Sequence, residues 1–302
     1  MIIIRYRKIF FAITGAIVVA AVASLLAFGL HFGTDFTGGT LVEATYPQSR
    51  PAPEALQQSL NAAGFKGYSL REASTNDYVL RTQNLTADER TAMPQILSVG
   101  GAYSVTIDQL TEVGPTIGAE LRNKSIAAIA LVLLCILLFI AFAFRKVSKP
   151  ISSWTYGLMA IVGLTTNVIV TTGFFALLGH LTGAQVDSLF VTAILTVLGF
   201  SVHDTIVVFD RVRENLRINA ERNRREDFAE VAGRSLSQTF VRSINTSLTV
   251  VFTLFVLHLI GPASTRDFSL TLLVGIVAGT YSSVFLATPL LVTIEKWRAG
   301  KR

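Results

Sequence analysis

The twenty residues TVLGFSVHDTIVVFDRVREN, Thr196 to Asn215, place an acidic side chain inside an apolar run. The run from Ser188 to Phe209 is long enough to cross a membrane as a helix, since a hydrocarbon core of about 30 Å takes roughly 20 residues. Asp204 lies about 10 Å along such a helix from Arg211, and therefore inside the membrane. An ionised group at that depth costs at least about 2.5 to 3.5 kcal/mol on insertion scales and normally faces protein or water. The stretch predicts a membrane protein with a buried acid.

The composition of the whole chain agrees with this interpretation. Of its 302 residues, 51% are hydrophobic and 15% are charged, which is too apolar for a soluble domain of this size. Six stretches are long enough to span a membrane. They are Ile9 to Leu30, Ile126 to Phe144, Trp154 to Leu178, Ser188 to Phe209, Phe240 to Ile260 and Phe268 to Leu291. The first follows a basic segment, as a signal peptide does, but it exceeds the usual apolar length of about 7 to 15 residues and is predicted to be an uncleaved anchor.

Lysine and arginine positions predict the topology, because short loops rich in these residues stay in the cytoplasm. They cluster before the first span, between the second and third, between the fourth and fifth, and after the sixth. Both termini are therefore predicted to be cytoplasmic. The same rule explains the net charge of +6, since the external segment Asp35 to Lys124 carries ten acidic and seven basic residues. Nucleic-acid binding is not expected, and the single Cys135 leaves no disulfide framework or cysteine-based metal site.

The segment between the first two spans has the periodicity of an α+β domain. Strand and helix patterns alternate in the order βαββαβ, with the second helix opened by Thr86, which is the order of a ferredoxin-like domain. We divide the chain into the N-terminus and first span, residues 1–31, an extracytoplasmic domain, residues 32–124, and five further spans, residues 125–302. The domain has no nucleophile paired with a base. It is therefore expected to bind or move rather than to catalyse, and no enzyme activity or cofactor is predicted.

A glycine-rich stretch, FGTDFTGGT, leads from the first span into this domain. Gly38 and Gly39 predict a tight connection that acts as a hinge, with Asp35 capping a helix or pairing with a cation at the membrane surface. A phosphate-binding loop is the alternative, but the full glycine fingerprint and its preceding strand are missing.

Other polar residues lie in the spans near Asp204. Ser201 and Thr205 are its neighbours on the fourth span, and Arg242 lies at nearly the same depth on the fifth. Arg242 either pairs with Asp204 or extends to the headgroups. It begins a polar line along the fifth span, at spacings of three and four. The line consists of Arg242, Asn245, Thr246, Thr249 and Thr253.

Three further features of the spans predict contacts between helices. Asn167 has four hydrogen-bonding valences and is not expected to face lipid. His203 points about 100° away from Asp204 and is interpreted as an interhelical hydrogen-bonding residue rather than a proton carrier. Gly275 and Gly279, four residues apart in the sixth span, predict a close-packing surface.

Five motifs together resemble the SecF members of the SecD/SecF family, within the resistance-nodulation-division superfamily. They are GTDFTGG, VGPTIGAEL, GFSVHDTIVVFDRVREN, SLSQTFVRSINTS and FSLTLLVGIVAGTYSSVFLATPLL, in this order along nearly the whole chain. The resemblance implies a bacterial cytoplasmic-membrane protein that works with SecD, the SecYEG translocon and YajC. It also implies use of the proton-motive force to promote late translocation and release of exported polypeptides. Asp204 would then be the proton-responsive carboxylate, Arg242 its electrostatic partner, and the external domain the part that contacts emerging chains.

The sequence departs from the family pattern at two places. Thr166 and Asn167 stand where many members have His-Asp, so a second ionisable site is missing there, and His203 stands where Asn is frequent. Two other functions compete with export. One is a passive membrane scaffold, in which Asp204 and Arg242 only hold helices together, and the other is a small-molecule/proton antiporter of the same superfamily. The absence of an obvious ligand pocket in the small external domain disfavours the antiporter.

Overall fold

The computed structural model describes residues 2–73, 75–145, 151–224 and 226–299. Its helices and strands follow in chain order. They are α1 (Ile2–Arg5), α2 (Arg7–Phe28), α3 (Thr34–Thr37), β1 (Gly39–Thr45), α4 (Pro53–Ala62), β2 (Ser69–Glu72), β3 (Asp77–Thr82), α5 (Ala87–Leu97), β4 (Thr106–Val113), α6 (Pro115–Ala143), α7 (Ser153–Thr182), α8 (Ser188–Glu221), α9 (Phe228–Ile260), α10 (Ala263–Ser282), a π-helical turn (Ser283–Ala287) and α11 (Thr288–Ala299).

Six helices in the described residues are long and apolar enough to cross a membrane, as predicted: α2, α6, α7, α8, α9 and the continuous unit of α10, the π turn and α11. Several extend beyond the apolar stretches that the sequence marks. Helix α6 begins at Pro115, where proline suits the first helical position, and α8 continues to Glu221. A helix can extend beyond the lipid, because its own backbone hydrogen bonds also form in water. Hydropathy therefore locates the membrane spans but not the helix ends.

Between α3 and α6 the chain forms an antiparallel sheet with strand order β2-β3-β1-β4 and two helices, α4 and α5. The strand and helix order is the predicted one, and Thr86 starts α5 with a capping box to Glu89. Along β1 the side chains alternate between two faces. Val42 and Ala44 pack with Leu56 and Leu97 from the helices, whereas the opposite face carries charged residues.

The connection from α2 into the sheet is tight, as predicted. Gly38 and Gly39 have φ angles of +80° and +130°, a region that glycine adopts without strain. A Cβ atom on Gly39 would lie 2.5 Å from the Thr82 carbonyl oxygen, and one on Gly118 would lie 2.9 Å from the Phe36 carbonyl carbon. The small residues therefore let α3, β1 and α6 meet at the base of the domain.

The sixth span is interrupted by the π-helical turn, which sequence periodicity did not predict. The turn shifts the face of the helix by one residue and buries Ser283 and Val284. Such turns are rare and are often found at functional sites. Here the turn lies beside the polar residues of α8.

Candidate functional site

Asp204 is buried in the interior of the helix bundle, with 2% of its surface exposed. It lies 16 residues into α8, or roughly 24 Å from the end that faces the sheet. Its carboxylate accepts one hydrogen bond, 3.4 Å long, from the Ser247 hydroxyl of α9. Thr280 of α10 lies behind Ser247, with 2.6 Å between the two hydroxyl oxygens. The acid is therefore enclosed by hydroxyl groups from two other helices.

A second group of hydroxyls lies next to Asp204 on α8, where Ser201 is one turn before it and Thr205 is the following residue. The Thr205 hydroxyl donates to the Ser201 carbonyl oxygen at 3.0 Å and lies 3.0 Å from the Ser283 hydroxyl. Asn167 of α7 is 1% exposed. In the amide orientation that gives both the nitrogen and the oxygen a partner, it donates to the Ser282 hydroxyl at 2.8 Å and accepts from the Ser201 hydroxyl at 3.3 Å. Ser201, Thr205 and Asn167 thus lie together, as predicted.

Two glycines let α10 approach α8 closely at this level. A Cβ atom on Gly279 would lie 2.1 Å from the Ser201 hydroxyl oxygen, and one on Gly275 would lie 2.2 Å from a methyl carbon of Val197. Any larger side chain would push the helices apart, so the predicted packing positions are those where the two helices touch.

Arg242 does not form the direct charge pair with Asp204 that the sequence suggested. It is exposed on α9, in a hollow of about 290 Å³ that it lines with Asp210 and Glu214 among others. The reason is geometrical, because adjacent residues point about 100° apart around a helix. When α9 turns Ser243 and Ser247 toward the bundle, Arg242 is turned away.

His203 also departs from its prediction. Its side chain is exposed on α8, and the described residues give it no hydrogen bond. The interpretation as an interhelical hydrogen-bonding residue is therefore wrong within this chain. It faces outward because Asp204, one position later, faces in.

The polar line predicted along α9 lies on its outer face. Asn245 and Thr246 are exposed, and the threonine hydroxyls donate to the backbone of their own helix. The inner face carries a different polar line that sequence reasoning missed. It consists of Ser235, Thr239, Ser243 and Ser247, all buried. Their regular spacing of four residues was the signal that could have identified them.

A second polar site joins the sheet to the ends of α8 and α10. The Arg71 guanidinium of β2 binds the Asp267 carboxylate of α10 through two hydrogen bonds of 2.5 and 2.9 Å. Arg266 donates to the Ala73 carbonyl oxygen at 2.8 Å. Asp35 accepts hydrogen bonds from the backbone N–H and hydroxyl of Ser188, at 2.9 and 2.5 Å, and so binds the first residue of α8, whose N-cap is Asp187. We call these contacts the junction.

The junction encloses a cavity of about 280 Å³ with unusual electrostatics. Arg81 lies on the face of the sheet that meets the helix ends and is 9% exposed. Two of its guanidinium nitrogens have no hydrogen-bond partner among the described residues. Burial lowers its pKa. Across the cavity, burial raises the pKa of Asp187 to about 6, and the nearby charge of Asp35 adds to this effect. The junction therefore contains an acid that titrates near neutral pH.

The described residues contain no cluster of three or more His, Cys, Asp or Glu that could hold a metal ion. Fold and site define a polytopic helical membrane protein with an enclosed carboxylate and an α+β domain attached to its helix ends. Residues 96–297 match the family model for the C-terminal region of the protein-export membrane proteins SecD and SecF, and residues 23–46 match the SecD/SecF GG motif. The chain belongs to the SecD/SecF family.

Curated relatives cover nearly the whole chain. A protein translocase subunit SecF from Thermobaculum terrenum is 43% identical, with 97% of this chain and 93% of the relative aligned. One from Anaerolinea thermophila is 37% identical, with 98% and 95% aligned. The crystal structure of SecDF, a translocon-associated membrane protein from Thermus thermophilus, matches with a TM-score of 0.83 at 29% identity. It covers 97% of this chain, which spans 38% of that structure's chain.

Proposed function

We propose that this chain is a non-enzymatic auxiliary subunit of Sec protein export in the bacterial cytoplasmic membrane. It works with a SecD partner and uses the proton-motive force to promote late translocation and release of polypeptides. Asp204 changes its charge during this cycle, with Arg242 as its electrostatic partner at longer range. Residues 32–124 form a ferredoxin-like domain outside the membrane that contacts the emerging chain, and both termini are cytoplasmic.

The enclosure of Asp204 carries this proposal. A carboxylate that only holds helices together is normally paired or accepts several hydrogen bonds, because an unpaired buried charge is strongly destabilising. Asp204 has one long hydrogen bond and no ion pair with Arg242. The Ser247 hydroxyl, which Thr280 supports from behind, can donate to an ionised carboxylate or accept from a protonated one. Such a site suits a group that alternates between two charge states.

The outer face of α9 supports a membrane partner. Arg242, Asn245 and Thr246 are exposed there, and His203 of α8 is exposed as well. Side chains of this kind are rarely found against lipid, so the helices of another protein are expected to cover them. A SecD partner fits, because the matched SecDF structure contains more than twice the length of this chain. SecYEG and YajC complete the proposed set of partners, with the exported polypeptide and protons as the moving species.

The placement of the domain is supported by its topology and by charge. The order β2-β3-β1-β4, with two helices on one face, is that of a ferredoxin-like sheet. The turns before α8 and α10 meet this sheet, and they are the short loops that lack lysine and carry few arginines. The basic loops lie at the other end of the bundle, and by the topology rule this supports an external position for the domain.

The connection between the two sites supports a mechanical coupling. Helix α8 carries Asp204 inside the membrane, and its first residue, Ser188, donates a hydrogen bond to Asp35 at the outer end. Helix α10 carries Thr280 beside Ser247 and is held by Arg71 at its outer end. A change of packing around Asp204 would therefore move the same two helices to which the domain is attached.

The test replaces Asp204 by Asn in cells depleted of the endogenous subunit. The variant keeps the size of the side chain but cannot ionise. We expect proton-motive-force-dependent export to fall at least tenfold, while the variant still copurifies with its SecD partner. Glu221→Gln is the control, since it removes an exposed acid from the end of the same helix.

The two competing functions give different results. Near-normal export by Asp204→Asn, with assembly intact, would reject the proton-coupled function and favour the passive scaffold. Failure to copurify with SecD and the translocon, together with proton-driven efflux of a small molecule, would favour the antiporter. Loss of both export and assembly in Asp204→Asn would make the carboxylate a structural contact.

A further inference from the structure

At the end of the bundle opposite the sheet, a hollow opens between the N-terminal helices and α9. Its outer part, about 840 Å³, has ten lining residues, of which five are cations. They are Arg5, Arg7, Lys8, Arg234 and Lys296, with Glu230 as the acid. Its inner part, about 450 Å³, is almost entirely apolar and shares Ile4 with the outer part. It is lined by Ile3, Phe10, Leu236, Phe240 and Phe285 among others. We call the two parts together the rim groove.

A break in the N-terminal helix forms the rim groove. The chain leaves helical geometry at Tyr6, with φ −96° and ψ 19°, so α1 and α2 are separate helices. Ile4, at the end of α1, is buried against the bundle core, whereas Tyr6 is 46% exposed. The break leaves a gap beside α9, and Phe285 from the π turn contributes to the floor of that gap. Local backbone geometry thus creates the hollow.

The cations at the mouth are only partly neutralised by protein. Arg234 binds Glu226 at 2.8 Å, and Lys296 lies 3.8 Å from Asp227. Arg5, Arg7 and Lys8 have no ion pair within the part of the chain that the structure describes. Their positive charge is therefore available to an anion.

The cations also lie at the depth of lipid headgroups. Arg7 and Lys8 form the first turn of α2, and the helix is apolar from Ile9 onward. Positive charge alone follows from the topology rule and would need no cavity. Here an apolar cavity adjoins the charged one, and the two share Ile4 in their walls. A ligand that fills both parts would carry a phosphate or similar anion joined to a long hydrocarbon chain.

We propose that the rim groove binds an anionic phospholipid. The phosphate lies among Arg5, Arg7 and Lys8, and one acyl chain lies along Phe240 and Phe285. Basic pockets between transmembrane helices bind anionic headgroups in this way. The site is about a bundle length away from the junction and does not depend on the proton-coupled function of Asp204.

Native mass spectrometry of the complex with its membrane partner tests the proposal. The purified complex is incubated with equal amounts of phosphatidylglycerol and phosphatidylethanolamine. We expect retention of phosphatidylglycerol, and roughly 25-fold weaker retention after the double change Arg7→Gln and Lys8→Gln, since each surface cation contributes separately to anionic-lipid binding. The matched control removes two cations elsewhere, with Arg217→Gln and Arg222→Gln, and should retain the lipid.

A second pair of variants keeps every charge, so any change in lipid retention cannot come from altered membrane insertion. Ser237 is exposed and lines the apolar part. Ser237→Trp should fill the acyl-chain cavity and reduce retention, whereas Ser237→Ala should not. Equal retention of both lipids, equal loss in the Arg217 and Arg222 control, or no effect of Ser237→Trp would overturn the proposal. Displacement of the lipid by millimolar inorganic phosphate would overturn it as well, because a phosphate site would then explain the charge.

Discussion

The intramembrane site and the junction hold their carboxylates in opposite ways. Asp267 at the junction is fixed by two hydrogen bonds from Arg71, whereas Asp204 has one hydrogen bond of 3.4 Å. Asp267 is also partly open to water, with 26% of its side chain exposed, and Asp204 is enclosed. Strong, directional contacts such as the Arg71 and Asp267 pair therefore attach the domain to the helices. The acid that we propose changes its charge within the membrane is the one that the protein holds weakly.

Gly279→Val should cause the largest effect, because it breaks the packing that encloses Asp204. The new side chain would meet the Ser201 hydroxyl, whose oxygen lies 2.1 Å from the position of a Cβ atom. We expect a loss of about 3 kcal/mol in the free energy of unfolding, measured by thermal unfolding in detergent. Gly199→Ala, on open surface of α8, is the control and should be neutral or slightly stabilising. Equal stability of the two variants would contradict the close contact.

Arg71→Met tests whether the junction attaches the domain. The change removes two charge-assisted hydrogen bonds and should weaken docking by about 2 kcal/mol. Faster amide hydrogen exchange in β2 and β3, with unchanged exchange in α8, would show release of the domain. Lys124→Met removes the exposed pair with Glu120 and should change little. If exchange in the two variants is the same, the Arg71 pair is not an anchor.

The α+β domain should dock more tightly on the helix ends at acid pH. Burial raises the pKa of Asp187 from 3.8 to about 6, so the docked state holds a proton that the solvated side chain releases. Asp187 contributes about 1 kcal/mol to the free energy of docking, after allowance for partial solvent contact. This contribution is fully present below pH 3.8 and is lost as pH rises through about 6. The charged groups that face Asp187 are Asp35, Arg81 and Asp267.

Spin-label distances between α5 and the start of α8 can follow this docking from pH 4 to pH 8. We expect a broader distance distribution above about pH 6, and Asp187→Asn should abolish the pH dependence. A variant that retains the full pH dependence would assign it to another group.

Ser247→Ala should have the smallest effect. It removes the one hydrogen bond that Asp204 accepts, and because this bond is long, stability should change by only about 0.5 kcal/mol. The pH profile of export should shift, since the change alters the surroundings of the carboxylate. Ser243→Ala removes a buried hydroxyl on the same face of α9 that has no hydrogen-bond partner among the described residues, and it serves as the control. Identical pH profiles for the two variants would exclude Ser247 from the site.

Much of the site could be predicted from the sequence, and the wrong predictions have one cause. Asp204, Asn167 and Gly279 were identified because a charge, an amide or a glycine pair inside an apolar span has few explanations. His203 was assigned to a contact between helices, and a pair with Asp204 was one of two alternatives for Arg242, but both side chains face outward. Spacing along a helix identifies residues that share a face, but it does not say which face turns inward. On α9 two polar lines compete, and only packing selects the one with Ser243 and Ser247.

The sequence by itself determined the six membrane-spanning helices, the order of strands and helices between the first two, and the presence of a buried acid. These follow from hydropathy and periodicity, which are properties of neighbouring residues. The tertiary structure decided which groups meet Asp204, that Arg71 reaches Asp267, and that a hollow opens beside the break at Tyr6. Those contacts join residues far apart in the chain. They depend on the rotation and depth of each helix, which the packing of all the helices sets together.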